Sequence, residues 1–271
     1  MAQNVIEVHD LVKRYRRAGT NAVDRVSFDV PEAGLFCLLG PNGAGKTTTV
    51  SILTTTLVMT SGSVLIAGKD LATQQAMVRD RVGIVFQGAS LDLNLTAEEN
   101  VRIHAVLYGL YPWRPFFRWM PRPYRRQVDE VAAVLGVGDV LGRPVRTLSG
   151  GTRRKLEIVR ALMHHPRVLF LDEPTVGLDP QSRRSLWSYL SEARKKYQTT
   201  VFLTTHYLEE AEPAETVCVI VNGRVVEMGS PAAIKSRHQG PAPPRLVEPG
   251  PSLEDAYVRL LESAQNRAAE P

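Results

Sequence analysis

Apolar and polar residues alternate over Ile6-Glu7-Val8 and over Val26-Ser27-Phe28-Asp29-Val30, the period of strands with one solvated face, and the pattern predicts an antiparallel edge sheet. Leu35-Phe36-Cys37-Leu38-Leu39 is instead continuously apolar, as a strand buried on both faces of a parallel sheet should be, and it runs directly into a glycine cluster. Residues 64–68 and 82–86 read as further strands, while residues 96–107 and 125–135 carry the helical spacing of apolar positions. From Val168 onward the two periods alternate: strand 168–171, helix 181–195, strand 200–204 and strand 217–221. The pattern predicts an α/β core over residues 1–87 and 151–238, interrupted by a helical subdomain over 88–150. Residues 239–271 read as a proline-rich linker, Gln239-Gly240-Pro241-Ala242-Pro243-Pro244 and onward, followed by a short helix over 253–264.

With 271 residues, 44% hydrophobic and 23% charged, the chain can bury a core, which excludes disordered, collagen-like and disulfide-scaffolded classes. No apolar run reaches the ~18 to 20 residues of a membrane span, and the first residues lack a charged region followed by an apolar one. A cytoplasmic chain that does not cross a membrane by itself is therefore expected. The net charge of +5, from 33 basic and 28 acidic residues, suits nucleotides, nucleic acid or a membrane surface alike. Cys37 and Cys218 each lie inside an apolar run and read as small buried hydrophobes.

Gly40-Pro41-Asn42-Gly43-Ala44-Gly45-Lys46-Thr47 matches the P-loop pattern between a buried strand and a helix-forming stretch. Its glycines let the backbone curl so that successive amides, those of Asn42, Gly43, Ala44 and Gly45 among them, point inward around phosphate oxygens, and the helix that follows adds the positive end of its dipole. Lys46 can bridge terminal phosphates, Thr47 supplies a hydroxyl to Mg²⁺, and Thr48 donates to a phosphate. Val168-Leu169-Phe170-Leu171-Asp172-Glu173 is an apolar strand ending in two acids. Beside a P-loop, Asp172 reads as the carboxylate holding Mg²⁺ through water and Glu173 as the base that polarises the attacking water; two solvated acids capping a strand becomes the weaker reading.

Leu148-Ser149-Gly150-Gly151-Thr152 lies twenty residues before the acid pair and opens a helical stretch. With this element the chain resembles the nucleotide-binding subunit of an ABC transporter. The motif order is also the family's: Tyr15, Gln87 after a strand, the Ser-Gly-Gly signature, Asp172-Glu173, Gly177-Leu178-Asp179 and His206. The resemblance covers nearly the whole chain. It implies a P-loop NTPase (RecA-like) α/β core with an antiparallel edge sheet and an inserted helical subdomain, an ATPase using ATP and Mg²⁺. It further implies two subunits facing head to tail, with Ser149, Gly150 and Gly151 of one on the γ-phosphate held by the other and Asp179 organising the seam. Tyr15 would stack on adenine, Gln87 would contact Mg²⁺ and the attacking water, and His206 would hydrogen-bond the γ-phosphate. Read residue by residue, Arg14-Tyr15-Arg16-Arg17 fits a solvated basic turn equally well, Gln87 fits any polar residue after a strand, and His206 fits a histidine satisfied by backbone.

Thr152 stands where the family frequently has Gln, and altered helix packing without loss of ATP binding is expected from it. Val176-Gly177-Leu178-Asp179-Pro180, Leu95-Thr96-Ala97-Glu98-Glu99-Asn100 and Ser252-Leu253-Glu254-Asp255-Ala256-Tyr257 are similar to the ATPases of ABC-2 type exporters, notably the daunorubicin-resistance-like group. That implies separate ABC-2 type transmembrane subunits, a peripheral place on the cytoplasmic face of the cell membrane and no nucleic-acid partner. The alternatives are a soluble ABC ATPase acting on ribosomes or nucleic acid, opposed by the single motif set and the compact insertion, and a P-loop kinase or GTPase, opposed by the signature and His206. Residues 111–126 hold two of the three tryptophans, five arginines and no acid. Either their aromatics pack back on the helical subdomain, or the stretch meets a membrane subunit or the inner-leaflet surface.

Overall fold

The computed structural model describes residues 3–238 apart from Arg17 and Ala89, so the linker and helix expected over 239–271 lie outside the described residues. In chain order the elements are β1 (Asn4–Lys13), β2 (Val23–Pro31), β3 (Leu35–Leu39), α1 (Lys46–Leu53), β4 (Ser61–Ile66), β5 (Lys69–Asp70), α2 (Gln75–Arg79), β6 (Val82–Val85), α3 (Ala97–Leu107), α4 (Arg122–Val134), α5 (Gly150–Leu162), β7 (Val168–Asp172), α6 (Pro180–Tyr197), β8 (Thr200–Thr205), α7 (Leu208–Ala211), β9 (Thr216–Val221), β10 (Arg224–Gly229) and α8 (Pro231–Arg237). They fall into two compact units, one built from the segments up to Val78 and from Phe202 onward, the other from Arg79–Val201.

In the first unit β2, β1, β4 and β5 form an antiparallel sheet, with Glu7 opposite Asp29 on one side and Leu65 on the other. The alternation read from β2 is realised: Val23, Val26, Phe28 and Val30 are buried while Ser27 and Asp29 are exposed. A mixed sheet accompanies it, β9 running parallel to β3 and antiparallel to β10. All five residues of β3 are buried, which is why its sequence carries no alternation. Phe36 stacks between Phe28 and Phe202 at centroid distances of 5.2 and 5.0 Å. Cys37 and Cys218 are free and buried. Burial raises both thiols, Cys218 to about 12, so neither supplies a thiolate nucleophile at neutral pH.

In the second unit β6 pairs in parallel with β7, and α3, α4 and α5 lie between them in sequence. Thr96 and Glu99 open α3 with a reciprocal capping box: the Glu99 amide donates to Thr96 Oγ1 at 3.2 Å and the Thr96 amide to Glu99 Oε2 at 2.8 Å. The helix expected from residue 125 begins at Arg122, because Pro123 falls in the first turn, where the amide it lacks has no intrahelical partner. α4 buries Tyr124, Val128, Val131 and Ala132, and the Tyr124 hydroxyl donates at 2.9 Å to Glu98 of α3. Burial holds the Glu98 carboxyl above its usual range, and Arg102 sits 3.4 Å from it. α5 packs against α3, α4, α6 and β6. Its approach to β6 is so close that a Cβ on Gly83 would lie 2.7 Å from the Ala161 carbonyl.

Candidate nucleotide-binding and hydrolysis site

The segment between β3 and α1 curls as its sequence requires. Gly43 and Gly45 have φ of 80° and 103°, the left-handed region that glycine enters without a steric cost, and a Cβ on Gly45 would lie 2.4 Å from the Ala22 carbonyl. The loop is backed by the β9–β10 turn, where the Gly223 amide donates to the Ala44 carbonyl at 3.0 Å. Lys46 is the first residue of α1 and is only 4% exposed, with Nζ donating to the carbonyls of Gly40 and Pro41 at 2.8 and 3.1 Å. A left-handed glycine loop that runs into a helix N-terminus around a buried ammonium is an arrangement that favours anions.

Two residues predicted from sequence are brought to this loop. The Tyr15 hydroxyl lies 3.4 Å from Thr48 Oγ1, its ring is 45% exposed and Lys13 Nζ stands 5.5 Å from the ring centroid. The ring is exposed at the edge of the phosphate-loop threonine and does not belong to the core. His206 follows β8, whose last residue, Thr205, accepts from the Gly40 amide at 3.3 Å. Its ring lies 4.1 Å from that of Tyr207.

In the second unit, Asp172 ends β7 and Glu173 follows it, both buried, at 2% and 8% exposure. Gln87, two residues past β6, donates its amide to Glu173 Oε2 at 3.1 Å, so these two predicted residues meet. Glu173 has φ of 45°, a left-handed conformation that costs a non-glycine residue of order 1–3 kcal/mol and that persists where surrounding contacts impose it.

One contact that holds this turn comes from a residue that sequence reasoning missed. Arg154 of α5 is buried, and its guanidinium donates to the carbonyls of Asp172 and Pro174, both at 3.0 Å, which brackets Glu173 on either side. It also donates to the Phe86 carbonyl ahead of Gln87 and pairs with Glu157 at 2.8 Å. Glu157 in turn accepts from the Ser90 amide at 2.8 Å, and Arg160 donates to the Ser90 carbonyl at 2.7 Å. One face of α5 thus fixes both the Gln87 segment and the Glu173 turn. The signal was present: Arg154 falls in the stripe of Gly151, Ile158 and Leu162, where helical spacing predicts an apolar residue. Arg154→Met should lower unfolding free energy by about 3 kcal/mol, because it leaves Glu157 buried without its cation. Urea denaturation checks this, and a loss below about 1 kcal/mol would show that the pair carries no such load.

Ser149 is the N-cap of α5, its hydroxyl accepting from the Thr152 amide at 3.2 Å and lying 2.9 Å from the Thr152 hydroxyl. The unusual Thr152 therefore bonds to the signature serine itself. Ser149 and Gly150 are exposed, whereas Gly151 is buried where a Cβ would come within 2.7 Å of Ser182 Oγ. That serine donates to Asp179 at 2.6 Å, and Asp179 caps α6 by accepting from the Gln181 and Ser182 amides. The Ser182 hydroxyl and amide hold the Asp179 carboxyl below its ordinary range. The structure thus joins Asp179 to the signature through Ser182 and gives it a local capping role.

Among the described residues no group of three or more His, Cys, Asp or Glu could hold a metal ion. Mg²⁺ needs no such cage, being held in nucleotide sites by one or two hard oxygen donors together with phosphates. The loop around Lys46 defines a P-loop nucleotide-binding protein of α/β architecture.

The chain belongs to the ABC transporter family, whose sequence model matches residues 23–176. It is 40% identical over 265 residues to the daunorubicin/doxorubicin resistance ATP-binding protein DrrA of Streptomyces peucetius, covering 97% of this chain and 72% of that protein. It is 33% identical over 259 residues to the probable multidrug ABC transporter ATP-binding protein YbhF of Escherichia coli, covering 96% of this chain but only 42% of that protein. The chain therefore spans less than half the length of that relative. A solved ATP-binding subunit of an ABC transporter superposes with a TM-score of 0.77 at 28% identity, over 95% of this chain and 99% of that one. These likenesses bear out the resemblance read from the motifs and the P-loop NTPase fold expected from it.

Proposed function

We propose that the chain is the ATP-hydrolysing subunit of an ABC-2 type exporter, lying on the cytoplasmic face of the membrane and driving separate transmembrane subunits. The observation that carries the reading is the signature helix: α5 presents Ser149 and Gly150 to solvent at its N-terminus while its interior face holds Gln87 and Glu173 in place. A glycine-flanked helix terminus so exposed suits an anion brought by another subunit, here the γ-phosphate of ATP in a head-to-tail dimer with Asp179 near the seam. In this reading Asn42, Gly43, Ala44, Gly45, Lys46, Thr47 and Thr48 hold the phosphates and Tyr15 stacks on adenine. Glu173, oriented by Gln87, takes a proton from the attacking water, and His206 bonds the γ-phosphate. Thr47, Gln87 and Asp172 would hold Mg²⁺, which would supply neutralisation of charge on the phosphates.

The likeness to DrrA and YbhF, one named for drug resistance and the other for multidrug transport, supports a drug as the exported cargo. Neither lends support to action on ribosomes or nucleic acid. Among the described residues no helix is long and apolar enough to cross a membrane, so a transport role needs another chain or segment for the passage. The test is copurification from detergent with the product of an adjacent reading frame encoding about six spans, with ATP turnover measured alone and in the complex. Specific association with stimulated turnover is the expected result; ATPase activity with no such partner, and association with ribosomes instead, would overturn it.

A further inference from the structure

Residues 111–126 divide into two sets that the sequence could not separate. Tyr111, Phe117, Met120 and Tyr124 turn inward: Tyr124 is fully buried, Met120 is 2% exposed, Phe117 lies edge-on to Tyr124 at 6.1 Å, and the Tyr111 hydroxyl donates to Gln127 at 2.9 Å. Trp113, Phe116 and Trp119 turn outward and are 57%, 51% and 53% exposed. Phe116 and Trp119 stand perpendicular at 4.8 Å, and the Arg118 guanidinium lies 5.5 Å from both ring centroids. The inward set fixes the segment, so the outward rings are presented by an anchored turn. The neighbouring α3 adds two exposed apolar residues one turn apart, Ile103 and Leu107.

Charge selects the occupant. Arg114, Arg118 and Arg122 are exposed, and none is ion-paired to a carboxylate among the described residues. The nearby Glu98 is already engaged by Tyr124 and Arg102, and Glu130 by Lys196. We infer that Trp113, Phe116 and Trp119, with Arg114, Arg118 and Arg122, form a docking surface for the headgroup layer of an anionic phospholipid membrane. Amphipathic rings favour the boundary between acyl chains and headgroups, and guanidinium groups pair with the lipid phosphates there. A protein partner would have to supply several carboxylates around an aromatic centre, whereas an anionic bilayer offers that chemistry at every point. The inference goes beyond the exporter reading, because the contact needs neither nucleotide nor a transmembrane subunit.

The test is sedimentation of the purified full chain with vesicles of phosphatidylcholine alone or mixed equally with phosphatidylglycerol. Binding to the mixed vesicles only, weakening as salt rises, is expected. The combined variant Arg114→Gln, Arg118→Gln, Arg122→Gln should weaken binding on the order of a hundredfold, at about fivefold per arginine. Trp113→Ser, Phe116→Ser, Trp119→Ser keeps every charge and should also detach the protein, with basal ATP turnover unchanged and thermal stability lowered only slightly because all three rings are more than half exposed. An unmodified chain that ignores anionic vesicles overturns the proposal, as does an aromatic variant that binds like the parent. Should the parent ignore vesicles while the aromatic variant loses a copurifying membrane subunit, the surface is a protein interface and the lipid assignment is wrong.

Discussion

Glu173→Gln is expected to reduce ATP turnover by roughly 10²-fold or more while leaving ATP binding in place, the loss that follows when a positioned general base can no longer accept a proton. The substitution suits this site. Glutamine keeps the length and an oxygen that can accept the Gln87 amide now bonded to Glu173 at 3.1 Å. The left-handed turn is retained as well, because Arg154 grips the carbonyls of Asp172 and Pro174 and not the Glu173 side chain. What disappears is the basic oxygen. With hydrolysis blocked and phosphate binding intact, Mg-ATP should drive the variant into a dimer visible as a shift in size-exclusion mass. Turnover near that of the parent would remove Glu173 from the catalytic role, and a fall in turnover matched by a fall in ATP affinity would make it a structural residue.

The parts of this molecule legible in its sequence are those where one local rule acts alone. β3 was readable to the residue because burial on both faces leaves no polar position in Leu35–Leu39. The loop after it was readable because its glycines answer a backbone requirement, as the positive φ of Gly43 and Gly45 shows. β10 and α8 were not read: Arg224-Val225-Val226-Glu227-Met228-Gly229 has no strict alternation, and its pairing with β9 comes from a tight turn at Asn222-Gly223, both at positive φ. The Arg154 network was hidden for a different reason. A buried guanidinium satisfied by carbonyls from residues 86, 172 and 174 depends on tertiary contacts that helical periodicity does not encode, so its position in an apolar stripe was a sign without a partner. The aromatic segment was ambiguous because inward and outward rings alternate at prolines and a 3-10 turn over Phe117–Trp119, where no single period holds.

Ser149→Arg carries the second large effect: hydrolysis should vanish while ATP binding to the monomer stays nearly intact. Ser149 is exposed, and its observed bonds are local ones to Thr152, so the folding cost is that of a lost N-cap, about 0.5–2 kcal/mol. The bulk of an arginine side chain there would fill the space at the exposed end of α5, which in a head-to-tail dimer is where the other subunit's γ-phosphate would sit. The same geometry makes a sharper claim. Lys46→Ala spoils the phosphate loop but keeps a sound signature helix, and Ser149→Arg does the reverse. In a mixed dimer, one of the two composite sites then joins a sound loop to a sound signature. Mixing two inactive variants should therefore restore a measurable part of the parent turnover, rising with the fraction of mixed dimers. If Ser149 instead served the phosphate loop of its own chain, every site in the mixture would carry a defect and no activity would return. Titrating one variant into the other at constant total protein, with turnover as the readout, separates the two arrangements.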